Sequence, residues 1–106
     1  MRNSRIAISA LAALGLACAG SATAADGPTL YKTKTCIACH GPDGGKPILP
    51  TYPRIAGQNK DYAINQMKDI KSGARANGQS AAMKGVMHLV SDEEIAILGE
   101  WLSTLK

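Results

Sequence analysis

The chain has no phenylalanine, one tryptophan and three tyrosines among its 106 residues. Four scattered aromatic rings give no platform for stacked bases. No run of lysine or arginine gathers the formal charge of +4 into a recognition surface, so base stacking and a basic recognition helix have little support. The length rules out a two-domain nucleotide-binding enzyme and a solenoid with its own caps. With 45% hydrophobic residues and ordinary complexity, the chain is not wholly disordered. Strand-like alternation of useful length is missing as well, which leaves an all-α fold. The apolar run from Ile6 to Ala19 has 14 residues, short of the ~20 that a spanning helix needs.

That run belongs to a three-part pattern. Met1 to Arg5 carries two arginines, the apolar stretch follows, and Ala22-Thr23-Ala24 has the small-x-small form of a processing site. Residues 1–24 are therefore expected to be a secretory signal peptide, with 25–106 as the working domain. Acylation of Cys18 is not expected, because Gly15-Leu16-Ala17 puts glycine where a lipoprotein signal usually has a branched apolar residue. Removing residues 1–24 leaves ten basic and eight acidic side chains, a formal charge of +2, and two cysteines in place of three. Nine of the ten cations fall between Lys32 and Lys84, whereas Asp92, Glu93, Glu94 and Glu100 crowd the C-terminal end.

Both remaining cysteines lie in Cys36-Ile37-Ala38-Cys39-His40, the C-x-x-C-H form that attaches c-type haem. Two intervening residues put both thiols along one edge of a porphyrin, where they reach its vinyl groups, and the next residue points its imidazole under the ring. A redox C-x-x-C would sit in a βαβ pattern that is missing here and has no need of the histidine. A zinc site would need further ligands, and only His88 is left. The candidates for the sixth iron position are Met67, Met83, Met87 and His88.

Periodicity places these residues. Asp26-Gly27-Pro28 opens a short helix over 28–40. Four glycines and four prolines between Gly41 and Gly57 make an ordered loop. Tyr62, Ala63, Met67 and Ile70 form a helical stripe that closes at Ser72-Gly73, so Met67 is expected to be core. Residues 74–90 read as a second loop. Ser91-Asp92-Glu93-Glu94 is a capping box for a last helix with Ile95, Leu98, Leu102 and Leu105 on its apolar face.

The ordered set of Gly27-x-x-x-Tyr31, Cys36 to Gly41, Pro50 to Gln58, Gly73 to Asn77, Met83-Lys84-Gly85 and the final helix resembles the class I c-type cytochromes. The likeness is strongest to short bacterial mono-haem forms and to single domains of periplasmic di-haem cytochromes. It implies three main helices and long loops around one haem c, bound through Cys36 and Cys39, in the periplasm. His40 and Met83 would be the iron ligands, Met83 because Met-x-Gly before a Ser-Asp cap matches the family pattern. Pro50 would accept a hydrogen bond from His40, Tyr52 and Ile55 would line the haem, and Arg54 would face a propionate. Arg75 and Asn77 are further candidates there. Gly27 and Tyr31 would cross Trp101 and Leu98. The implied role is outer-sphere transfer of one electron between redox proteins, with Lys32, Lys34, Lys46 and Lys84 steering an acidic partner and no bond chemistry. Two rival roles are a haem subunit of a redox enzyme complex and a haem enzyme or gas-binding protein with an open sixth position.

Overall fold

The computed structural model describes residues 25–106; the expected signal peptide and Cys18 lie outside the described residues. Five helices follow one another: α1 (Gly27–Thr33), α2 (Cys36–His40), α3 (Lys60–Ser72), α4 (Ser80–Met87) and α5 (Asp92–Ser103). There is no strand among the described residues, as the all-α expectation requires.

Local chemistry sets the boundaries. Asp26 caps α1 by accepting from the Thr29 N–H at 3.0 Å, and Pro28 stands in the first turn, where its missing N–H costs nothing. The single helix expected over 28–40 is in fact two, because Thr35 sits at φ 65° and turns the chain between them. Asn59 caps α3 through the Tyr62 N–H, and Gly73 ends that helix in the left-handed conformation. At α5 the capping box closes both ways: the Glu94 N–H donates to Ser91 Oγ at 3.1 Å, and the Ser91 N–H donates to Glu94 Oε1 at 2.9 Å. The second expected loop holds α4, whose Ser80, Met83 and Met87 recur at helical spacing on its inner side.

Two close approaches build the core. Gly27 lies against the Cβ of Trp101, so α1 and α5 cross where no other side chain would fit. The Trp101 ring tilts 56° against Tyr31 with centroids 5.2 Å apart. At Gly99 the same helix α5 meets Ile64 of α3, where a Cβ would stand 2.6 Å from Ile64 Cγ1. Leu30, Tyr31, Ala63, Met67, Ile70, Met87, Val90, Ile95, Leu98 and Leu102 are buried around these contacts. Tyr62, expected on the buried stripe of α3, is 52% exposed, because its position on the helix points at the mouth of a cavity instead of the core.

Candidate functional site

The turn at Thr35 aims α2 into a cavity of about 440 Å³ that runs between α2, the 51–58 loop, α3 and α4. Cys36, Cys39 and His40 line one part of it. The two cysteines are not joined in a disulfide. Burial pushes the Cys36 thiol up from its ordinary value, opposite to the lowered value that a redox C-x-x-C nucleophile needs.

His40 is 6% exposed, and its Nδ1 lies 3.0 Å from the carbonyl oxygen of Pro53. That contact makes Nδ1 the donor and leaves Nε2 bare, the tautomer in which an imidazole ligates a metal. Pro50 was expected in this place. It is exposed and outside the cavity, because a turn closed by the Tyr52 N–H on the Leu49 carbonyl carries the chain round and brings Pro53 over the histidine. Three prolines within seven residues look alike in sequence, and only the turn separates them. The motif is also held from behind. Tyr31 Oη donates to the Gly41 carbonyl, and burial pushes its phenol up to about 12, so the donor proton stays on.

The other expected residues distribute as follows. Tyr52 and Ile55 are half-buried and line the cavity; Arg54 lines it from an exposed position. Arg75 lines it too, with Nη1 donating to Gln66 Oε1 at 2.9 Å, and Asn77 is nearby on the same wall. Met67, Met83 and Met87 all reach the cavity, whereas His88 is exposed outside it. Met87 is 1% exposed within the core, while Met83 packs against the core and keeps accessible surface. Gln66 and Thr35 are lining residues that the sequence did not single out; a glutamine on a helix and a threonine before a motif carry no signal of their own.

The lining has a distinct chemical character. It contains two arginines, one histidine, no aspartate and no glutamate. Such a wall suits a large, flat, mostly apolar group that ends in carboxylates, which is what a haem with its two propionates is. Two thiols and a tautomer-fixed imidazole on the same wall meet the remaining demands of that group.

Residues 24–106 match the family model described as Cytochrome c. Two relatives named cytochrome c4, from Azotobacter vinelandii and Pseudomonas aeruginosa, are 36% identical over 94 residues and 35% identical over 102 residues. These stretches cover 83% and 96% of this chain but 42% and 49% of the relatives, so the chain spans about half the length of the cytochromes c4 it matches. Cytochrome c-553 from Nitratidesulfovibrio vulgaris is 31% identical over 105 residues, which is 99% of this chain and 100% of that protein. Motif, cavity and likeness agree: the chain belongs to the cytochrome c family and carries haem c bound through Cys36 and Cys39.

Proposed function

We propose that the protein is an exported, periplasmic one-electron carrier whose iron is ligated by His40 and Met83. The observation that carries the reading is the cavity wall: beside His40 it offers methionine sulfur and no second histidine or carboxylate. Peroxide chemistry needs an acid or base near the open iron face, and this wall has none. When bound, haem c supplies a reversible one-electron couple between ferrous and ferric iron. The residues of the chain then do the rest. The Pro53 carbonyl holds the His40 ring in one orientation, and Arg54 and Arg75, on the cavity wall, would meet the carboxylates. Met83, which keeps accessible surface while lining the cavity, would supply the thioether to the iron, a ligand that raises the potential. Met87 serves as core.

The expected docking charge changes in one respect. Lys34 is engaged within the chain, by the Leu89 carbonyl and Glu94, so Lys32, Lys46 and Lys84 are left to steer an acidic partner. Beside Lys46 stand Ile48 and Leu49, 61% and 46% exposed, and the Ile48 N–H donates to the Cys39 carbonyl at 3.1 Å. An apolar pair fixed next to a thioether cysteine favours, as a second reading, service as a haem subunit docked within a redox enzyme complex. The chemistry is the same in both.

The test is spectroscopic. Ferric holoprotein is expected to show the far-red sulfur-to-iron band, Met83→Ala to lose it and Met87→Ala to keep it. Untreated ferrous protein is expected not to bind carbon monoxide. The reverse result with the two methionines moves the ligand to Met87, and carbon monoxide binding defeats the closed-site reading.

A further inference from the structure

We propose that Lys34 is a positioning residue that latches the Met83-bearing segment to the haem-attachment segment and so keeps the sixth iron position closed. The proposal rests on Met83 as the sixth ligand. Helix α4 carries Met83 but has weak means of holding itself. It is eight residues long, Gln79 provides no side-chain cap, and it follows Gly78 at φ 55°. A helix this short is marginal alone. Ser80 and Met87 are buried at its two ends, and the turn beyond Met87 adds backbone hydrogen bonds. The Leu89 N–H bonds back to the Val86 carbonyl at 2.9 Å and the Val90 N–H to the Met87 carbonyl at 3.2 Å, so Leu89 belongs to the turn that finishes α4. Met87 and Val90 are buried there, but apolar burial resists separation from the core more than it fixes a direction.

The direction comes from across the site. Lys34, two residues before Cys36, sends Nζ to the Leu89 carbonyl at 2.8 Å and to Glu94 Oε1 at 3.5 Å. Among the described residues this is the only side-chain hydrogen bond between the 27–40 segment and the turn after α4. An ammonium on a carbonyl at a helix C-terminal end also meets the negative end of the helix dipole. The same cation touches Glu94, which is already fixed by the Ser91 N–H. One side chain therefore joins three pieces: the approach to Cys36, the end of α4 and the start of α5. An ordinary surface ion pair between Lys34 and Glu94 would contribute little. The distinguishing contact is the one to the Leu89 carbonyl, because it ties the 27–40 segment to the turn that finishes the Met83-bearing helix.

Cyanide takes the sixth position of ferric iron only when Met83 has left, so its association rate reports local opening of the Met83 segment. The experiment uses ferric holoprotein of the wild type, Lys34→Leu, Lys34→Arg and Lys60→Leu. The last breaks the Lys60–Glu100 pair between α3 and α5, away from α4. Global unfolding is followed in parallel through Trp101 fluorescence. Lys34→Leu is expected to bind cyanide faster by about fivefold, with Lys34→Arg and Lys60→Leu within about twofold of wild type. An unchanged rate in Lys34→Leu, or an equal acceleration in Lys60→Leu, overturns the latch while leaving Met83 in place as ligand. A wild-type far-red band that is missing, or that survives Met83→Ala, overturns both readings together.

Discussion

Thr35 holds a conformation that its side chain disfavours. It is the one non-glycine residue with positive φ among the described residues, at 65°, and it is β-branched. The strain has a visible return: the turn ends α1, starts α2 with Cys36 and lets Lys34 and Cys36 leave in different directions. The left-handed conformation costs a residue with a side chain ~1–2 kcal/mol, and glycine would shed that cost at the expense of some unfolded-state freedom. Thr35→Gly is therefore expected to stabilise the holoprotein by roughly 0.5–1 kcal/mol in guanidinium unfolding. A lower midpoint would mean that the Thr35 side chain contributes more by lining the cavity than its backbone loses. At this same scale the sequence was most legible where chemistry is written in residue type. Two thiols and a following imidazole read as haem attachment without any geometry. Pro53 was not legible, since its role depends on a backbone turn and on a carbonyl that every residue possesses.

The helices pack through their smallest residues, and this decides the sign of a substitution. Alanine in place of glycine in a helix gains ~0.5–1 kcal/mol. At Gly85 a Cβ would meet nothing within 4 Å, so Gly85→Ala is expected to stabilise by about that amount. At Gly99 the Cβ would stand 2.6 Å from Ile64 Cγ1 and 3.4 Å from the Lys60 carbonyl oxygen, so overpacking of ~1–3 kcal/mol outweighs the helical gain. Gly99→Ala is expected to lower the thermal midpoint while Gly85→Ala raises it; the same sign at both positions would contradict the packing of α3 on α5. Helix ends give a second prediction. The hydrogen bonds with Thr29, its side chain before its backbone N–H, hold Asp26 below the usual carboxylate range, and the Ser91 N–H does the same for Glu94, with Lys34 adding to it. A carboxylate whose folded value is depressed contributes stability above its unfolded value of ~4 and loses it as pH falls through the folded value. Asp26→Asn with Glu94→Gln is thus expected to flatten the fall in unfolding midpoint below about pH 4.5, with little change in its slope above that pH. The α5 cap was readable because its signal is a four-residue pattern. α4 was not, since Gly78 and Gly85 mask it and its reason to be helical is the burial of Ser80 and Met87 against partners distant in sequence.

At the scale of the whole molecule, the core and the cavity are the same object. Met67, Ile70, Met87, Leu98 and Leu102 are buried core residues and also cavity walls. Two of the five helices have only seven and five residues, so they hold their shape by what they pack on and not by propensity. Without the group that fills it, the cavity of about 440 Å³ would leave these apolar core walls open to water and their packing contacts unmade. A domain of this kind has roughly 5–15 kcal/mol of stability in all. The haem is accordingly a structural part of the fold as well as its redox group, and the absence of phenylalanine fits a core in which the large flat ring is not supplied by the chain. Attachment through two thioethers makes that part permanent, which a haem held without covalent links would not be. The consequence is a protein whose folding depends on covalent capture. Cys36→Ser with Cys39→Ser, isolated without bound haem, is expected to show weak helical circular dichroism, little near-ultraviolet signal from Trp101 and Tyr31, and rapid proteolysis between α2 and α3. A cooperative thermal transition in that variant would show that the apolar walls close on one another and that the core does not need the porphyrin.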